Sequence, residues 1–124
     1  MKLYLDSASP TELAKVRRLG FNVTGVTINP TLLIKAGFTP ETAVRQFKDM
    51  PTFMQVCGDT TAGILATAVK YHEINPNLVV KLDATTPGLA AMPHVIHAHI
   101  PVAATLVYEP AQAILADQAG AHDI

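Results

Sequence analysis

One lysine inside an apolar segment is the residue of this sequence best suited to chemistry. Lys81 lies in "LVVKL", between Val80 and Leu82, and a strand covered on both faces normally excludes an ammonium group. Burial favours the neutral amine, lowers the pKa of a lysine and makes it a nucleophile able to form a Schiff base with a ketone. The alternative is an edge-strand lysine that extends to water and blocks unwanted strand pairing. The strand by itself leaves both interpretations open.

Polar residues recur at or near the ends of five short apolar segments. They are Asp6, Asn29, Gln55, Lys81 and Thr105, separated by 23, 26, 26 and 24 residues. Each interval accommodates one β-strand and one helix. Such alternation predicts right-handed βα crossovers and a parallel sheet.

The segments themselves are rich in Val, Leu, Tyr and Phe, bounded by Gly, Pro, Asn and Asp. The predicted strands are Leu3 to Asp6, Gly25 to Asn29, Phe53 to Cys57, Leu78 to Leu82 and Val102 to Tyr108. Helical character lies in "SPTELAKVRRLG", "TPETAVRQFKDM", "DTTAGILATAVKYHEI", "TPGLAAMPHVIHAH" and "EPAQAILADQAGA". Pro93 is expected to break the fourth helix.

Two architectures are built from βα units. A doubly wound sheet usually has a glycine-rich first turn, whereas the first turn here is "DSASPTE". A (β/α)₈ barrel places catalytic groups at the carboxyl ends of several strands, as counted above. We therefore predict an α/β fold, a partial (β/α)₈-type barrel of about five parallel units in a single domain over residues 1–124. A full barrel needs eight units, and Ile124 looks like the start of a sixth strand.

Composition excludes several kinds of partner. Apolar residues make up 49% and charged residues 15% of the chain, which is typical of a packed globule. With 9 Lys and Arg against 10 Asp and Glu, there is no strong field to bind nucleic acid or an anionic membrane. Neither a signal peptide nor a membrane-spanning run is recognisable, so a cytoplasmic protein is expected. Cys57, the single cysteine, is expected to be a buried, inert thiol.

Five ordered motifs resemble those of one enzyme family. The motifs "LYLDSA", "GVTINPT", "FMQV", "LVVKLDATTPGLAAM" and "IPVAATLVY" are similar to the first five strand-end motifs of the small transaldolases and the fructose-6-phosphate aldolases. The resemblance extends from Met1 to the last residue with few gaps. It implies a Schiff-base enzyme acting on small sugars or sugar phosphates.

The resemblance also implies residue roles. Lys81 would form the imine with a dihydroxyacetone unit, and Asp6 would bind substrate and transfer protons. Asn29, with Thr27 beside it, would contact the substrate hydroxyl near the imine. From the residues alone, Asp6 is equally a helix-terminal acid or cap, and Asn29 before Pro30 is a turn or cap residue.

Gln55 and Thr105 match the residues that hold a catalytic water in this family. A carboxylate is usual at the position of Gln55 in transaldolases, whereas glutamine is typical of the aldolases, so Gln55 favours direct aldol chemistry. A buried glutamine bonded to backbone is the alternative. Phe53 would line the pocket, although an aromatic residue on a buried strand is more often core. Tyr108 and Gln112 match family positions that packing and capping also explain.

The cluster "HVIHAHI" suggests a metal site formed by His94, His97 and His99. Only the first two share a helical face, and no acidic or thiol partner is close in sequence. A Schiff-base aldolase needs no metal or other cofactor, because the imine polarises the substrate. We therefore expect these histidines on a polar outer helix face.

Two departures from the family pattern bear on function. Asp83 stands where relatives usually have proline, and its carboxylate would favour the ammonium form of Lys81 if the strand continues that far. The chain also lacks the last three strands, with the family's relay tyrosine and the arginine and serine that bind phosphate. An open arc of five strands exposes two edges, so self-association or a complementary polypeptide is expected.

Two hypotheses remain. The first is an aldolase or transaldolase-type enzyme with Lys81, Asp6, Gln55 and Thr105 as catalytic residues, and with Asn29, Thr27 and Phe53 binding substrate. The second is a non-catalytic half-barrel that serves assembly or folding only.

Overall fold

The computed structural model describes residues 1–124, and it forms one sheet with helices on its outer face. The strands are β1 (Tyr4–Asp6), β2 (Gly25–Ile28), β3 (Thr52–Gln55), β4 (Leu78–Asp83) and β5 (Val102–Thr105). The helices are α1 (Pro10–Arg18), α2 (Pro30–Ala36), α3 (Pro40–Gln46), α4 (Thr61–Ile74), α5 (Thr86–His97) and α6 (Pro110–Gln118). No helix is long and apolar enough to cross a membrane.

All strands are parallel and follow chain order, β1-β2-β3-β4-β5. Each strand is joined to the next by one or two helices, which is the alternation of strand and helix predicted above. The α/β class, the parallel sheet and the partial-barrel order are thus confirmed.

Five of the six helices start in the same way, and α4, which follows Thr60, is the exception. A polar residue with extended backbone stands at the cap position, and a proline occupies the first turn where no backbone N–H is needed. Ser9 accepts a hydrogen bond from the Glu12 N–H, and Thr39 accepts one from the Thr42 N–H. At α6 the Gln112 side chain accepts from the backbone N–H of Glu109 in a capping box.

The hydrophobic core lies between the sheet and the helices. Along β4 the side chains alternate, with Leu78, Val80 and Leu82 fully buried while Val79, Lys81 and Asp83 are half-buried. The first set packs beneath the helices, together with residues such as Ile28, Met54, Ile64 and Met92. The second set faces the opposite, concave side of the sheet, which this chain leaves uncovered. Strand alternation therefore assigns chemistry and core to opposite faces.

One helix was not predicted, and one prediction about a helix was wrong. The segment after β2 forms α2, which the sequence analysis did not include among its helices. Asn29 caps this helix, which is one of the two interpretations given for it, Pro30 is its first residue, and Gly37 ends it in the left-handed conformation at φ 73°. Pro93 does not break α5, which continues to His97 around it. Pro93 is on the exposed side, where the ring can be accommodated without displacing core residues.

The strand boundaries differ from prediction by a few residues. The largest difference is at β5, which ends at Thr105 rather than Tyr108 because Leu106 turns the chain with φ 55°. β4 is longer than predicted and includes Asp83.

The two edges of the sheet are unlike. Residues 122–123 run parallel to β5, where the Ala104 N–H donates to the Asp123 carbonyl at 2.8 Å. This single bridge lies where a sixth strand would pair with β5, and it forms at Asp123 rather than at Ile124. The outer edge of β1 has no partner strand.

Candidate active site

The strand register aligns the predicted site residues in rows on the concave face. Asp6 on β1 pairs with Thr27 on β2, and Thr27 pairs with Phe53 on β3. One row higher, Gln55 pairs with Lys81. Because paired residues of adjacent parallel strands point to the same side, these side chains share one face.

A third row contains Asp83 of β4 and its partner Thr105 of β5. Residues two apart on a strand point the same way, so Lys81 and Asp83 share the concave face with Thr105. The sheet thus gathers the predicted residues at the carboxyl ends of neighbouring strands.

The amine of Lys81 is poised between two opposing influences. Burial lowers the pKa of the Lys81 ammonium, while the carboxylates of Asp6 and Asp83 oppose this shift by stabilising its charge. Burial prevails, so the pKa lies below its ordinary value. The edge-strand alternative does not describe this lysine, since β4 lies between β3 and β5.

Asp6 is oriented by a neighbouring strand. The Thr27 hydroxyl donates to Asp6 Oδ1 at 2.6 Å, which holds the exposed carboxylate at the end of β1. Ser9, not Asp6, caps α1. The proposed cap role of Asp6 is therefore wrong, and Thr27 orients this carboxylate.

Gln55 and Asp83 form the second polar contact of the face. Gln55 Nε2 donates to Asp83 Oδ1 at 2.7 Å. Gln55 is thus bonded to a carboxylate rather than to backbone. Its carbonyl oxygen makes no hydrogen bond within the chain.

Asn29 has a structural role as well as a place near the site. Its Oδ1 accepts from the Leu32 N–H at 3.0 Å and caps α2. The cap interpretation is therefore confirmed, and it leaves the Nδ2 group without a partner in the chain. Because Asn29 directly follows β2, this donor lies at the same edge of the sheet as Thr27.

Phe53 is half-buried, and its ring packs edge-on against Tyr4 at a centroid distance of 5.2 Å. It lies on the concave face rather than in the core beneath the helices. Gln112 donates to the Ala84 carbonyl at 2.9 Å and ties α6 to the end of β4, so capping and packing explain it. Tyr108 is 80% exposed, so packing does not explain it.

The prediction of a buried Cys57 was wrong, because the residue is exposed just beyond β3. Its thiol is nevertheless partly desolvated, which raises its pKa, and the Asp83 carboxylate raises it further. A raised pKa disfavours the reactive thiolate. Gln55 and Cys57 line a cavity of about 210 Å³ that extends toward Tyr71.

The three histidines of "HVIHAHI" are exposed around the end of α5, as expected for a polar outer face. His99 lies in the turn after the helix with φ 61°. No three His, Cys, Asp or Glu side chains lie together as a metal site would need.

For Asp83, sequence reasoning predicted an effect on the charge of Lys81 but not its contact with Gln55. The signal was present, because an acid in place of the expected proline falls two positions beyond Lys81 on one strand. Its hydrogen bond to Gln55 depends on the β3–β4 register, which sequence alone did not provide.

Fold and site define an α/β protein with part of a barrel and a lysine-centred polar face at the carboxyl ends of its strands. The family model described as transaldolase/fructose-6-phosphate aldolase matches residues 3–124. The chain belongs to this family.

Curated relatives agree with this membership. The chain is similar to probable transaldolases of Citrifermentans bemidjiense (36% identity) and Pelotomaculum thermopropionicum (35%). It is also 36% identical to a probable transaldolase of Thermoplasma volcanium. These alignments cover 98% of this chain and 58%, 57% and 56% of the respective relatives. The chain thus spans a little over half the length of the curated relatives it matches.

Proposed function

We propose that this chain carries the imine-forming site of a Schiff-base aldolase or transaldolase-type enzyme. The observation that supports this most directly is the half-buried amine of Lys81. It lies on the concave face in register with Gln55, and its pKa is lowered in spite of two nearby carboxylates. The substrates would be small ketoses or ketose phosphates, or a dihydroxyacetone-type donor with an aldehyde acceptor.

The neutral amine of Lys81 would attack the ketone carbonyl carbon, and the resulting carbinolamine would lose water to give a protonated imine. The bond between the α- and β-carbons of the imine then breaks, and its electron pair forms the C=C bond of a neutral enamine. The hydroxyl proton of the departing aldehyde must go to a base at the same time. The enamine is then protonated on carbon, and water releases the ketone and returns the amine.

Other residues of the face have chemistry suited to these steps. Asp6, held by Thr27, is a carboxylate that can accept or return a proton near Lys81. Gln55 and Thr105 together can hold the water that carries protons. The free Nδ2 group of Asn29 can donate to a substrate hydroxyl, and Phe53 offers an apolar wall.

Between the two reactions of the family, Gln55 favours direct aldol cleavage and formation. The transaldolase pattern has a carboxylate at this position, which can act as an acid or base, whereas an amide cannot. A comparison of transfer to an added aldehyde with release of free donor would separate the two activities.

The test is reductive trapping. Purified chain is incubated with dihydroxyacetone and borohydride, and peptides are mapped by mass spectrometry. We expect the adduct on Lys81 in the wild type and no adduct in Lys81→Met. Lys70→Met is the control, because Lys70 is exposed and pairs with Glu41, and it should keep the adduct on Lys81. Equal modification of all lysines, or none at Lys81, would reject the proposal.

The second candidate, a half-barrel that serves assembly only, is supported by the uncovered concave face. It predicts a defined complex in solution and no trapping. A cytoplasmic location remains a prediction.

A further inference from the structure

The acid at position 83 is not assigned a role by family membership, yet its carboxylate contacts the site directly. We infer that Asp83 is a positioning residue of the Lys81 site, which fixes the orientation of the Gln55 amide and stabilises positive charge on Lys81. This inference rests on the proposed function for its catalytic meaning.

The orientation of Gln55 follows from donor and acceptor chemistry. A carboxylate has no hydrogen to donate, so the amide group facing Asp83 at 2.7 Å must be the Nε2 group. The carbonyl oxygen is then the atom left for a water or substrate, and it can only accept. Without Asp83 the amide could turn and present either end.

The charge effect follows from position on the strand. Asp83 is two residues beyond Lys81 on β4, and both are half-buried on the concave face. The other ionisable groups around the Lys81 amine are Asp6 from β1 and, next to Asp83, the Cys57 thiol after β3. The neighbours in register, Gln55 and Ala103, are neutral. Two carboxylates thus face one amine, and removing either should lower the pKa of Lys81 further.

Two variants separate these effects. Asp83→Asn removes the charge and keeps an oxygen that can accept from Gln55, whereas Asp83→Ala removes both. Asp49→Asn is the matched control, since this exposed acid precedes β3 at the other end of the sheet. Circular dichroism of each variant verifies that the fold is retained.

The first measurement needs no substrate. Competitive labelling with acetic anhydride across neutral to alkaline pH gives the pKa of Lys81. Asp83→Asn should increase the labelling rate at neutral pH roughly three- to tenfold over wild type, a fall of roughly half to one pKa unit. A rate equal to that of Asp49→Asn would overturn the charge role, whether or not the chain forms imines.

The second measurement uses dihydroxyacetone in D₂O, where enamine formation exchanges the carbon-bound hydrogen for deuterium. Asp83→Asn still holds the Gln55 amide and should retain exchange. In Asp83→Ala the exchange rate should be at least roughly tenfold lower than in Asp83→Asn. Equal exchange in the two variants would overturn the positioning role. Absence of trapping and exchange in the wild type would instead reject the proposed function, while labelling still decides the charge role.

Discussion

Lys81 meets two conflicting requirements at the scale of a single residue. Its strand position removes water from the amine, and the carboxylates of Asp6 and Asp83 restore part of the lost stabilisation of charge. A lysine with no carboxylate nearby would be more nucleophilic at neutral pH but harder to protonate after attack. The arrangement suits an amine that must be neutral in one step and cationic in the next.

The lowered pKa of Lys81 predicts an alkaline pH dependence of stability. The unfolded chain binds this proton up to the ordinary pKa of 10.5, and the folded chain releases it earlier. The free energy of unfolding of the wild type therefore increases as pH rises from the folded pKa to 10.5, and it decreases again as pH falls through this range. Lys81→Met lacks this increase, so it should be at least as stable as wild type at neutral pH and become less stable than wild type as pH rises. Urea unfolding measures the difference, and Lys70→Met should show no such trend.

A second residue-scale prediction concerns Gln55→Glu. This change restores the carboxylate usual in transaldolases but places it against Asp83 Oδ1, where Gln55 donates at present. Two carboxylates in contact cannot both ionise without cost, so they must share a proton. We expect a loss of about 1–2 kcal/mol in the free energy of unfolding at neutral pH. The loss should shrink as pH falls, because protonation of one carboxyl group removes the repulsion between the two.

The control for Gln55→Glu is Gln46→Glu at the exposed end of α3. Its stability should stay within about 0.5 kcal/mol of wild type. If both changes gave the same small effect at every pH, the Gln55–Asp83 contact would not exist in solution.

At the scale of elements, the close approach of α5 to β4 determines where Lys81 lies. Gly88 is buried in the first turn of α5, and a Cβ atom there would fall 1.9 Å from the Asp83 carbonyl oxygen. Only glycine allows the helix to start this close to the strand end. The sequence "TTPG" thus positions the helix that covers the outer face of the lysine strand.

Gly88→Ala should therefore destabilise the protein by about 1–3 kcal/mol and displace the end of β4, because backbone atoms must move. Gly37→Ala is the comparison, since its Cβ would meet no atom within 4 Å and only its φ of 73° opposes alanine. Trapping at Lys81 should fall in Gly88→Ala and stay unchanged in Gly37→Ala. Equal trapping in both would show that the helix does not determine the site.

Sequence periodicity predicted the strand order because each strand ends in a polar residue after a short apolar run. It did not predict α2, since Asn29 before Pro30 is also a turn signal, and a seven-residue helix has little periodicity. The break at Pro93 was wrong because propensity ignores that an exposed proline can be tolerated where the helix is held by packing. Cys57 was misjudged because burial of the thiol depends on where β3 ends, a boundary that propensity locates poorly.

For the candidate site, the sequence predicted residues that the sheet places on one face, but it did not predict their contacts. Alternation along a strand placed Lys81 and Asp83 on one face once β4 was known to reach Asp83. The bonds Thr27 to Asp6 and Gln55 to Asp83 join different strands, so they require the register.

At the scale of the whole molecule, the two faces of the sheet are unequally covered. Helices bury the outer face of β2 to β5, while the concave face leaves Tyr4, Phe53 and Val79 half-buried in this chain. The outer edge of β1 also offers unpaired backbone groups. Half-buried apolar side chains beside an open strand edge favour association with another polypeptide, and a second copy is the partner always available.

We therefore expect concentration-dependent self-association in sedimentation velocity experiments. Val79→Thr replaces a methyl group on the concave face by a hydroxyl and should weaken association by roughly four- to fifteenfold, at about 0.8 kcal/mol for each of one or two copies that bury it. Ile34→Thr is the control, because Ile34 is 82% exposed on α2, away from the concave face. A chain that stays monomeric at all accessible concentrations would contradict association through this face. Dissociation by Ile34→Thr alone would instead locate the contact on the helical layer, and the concave face would then remain open to substrate within the assembly.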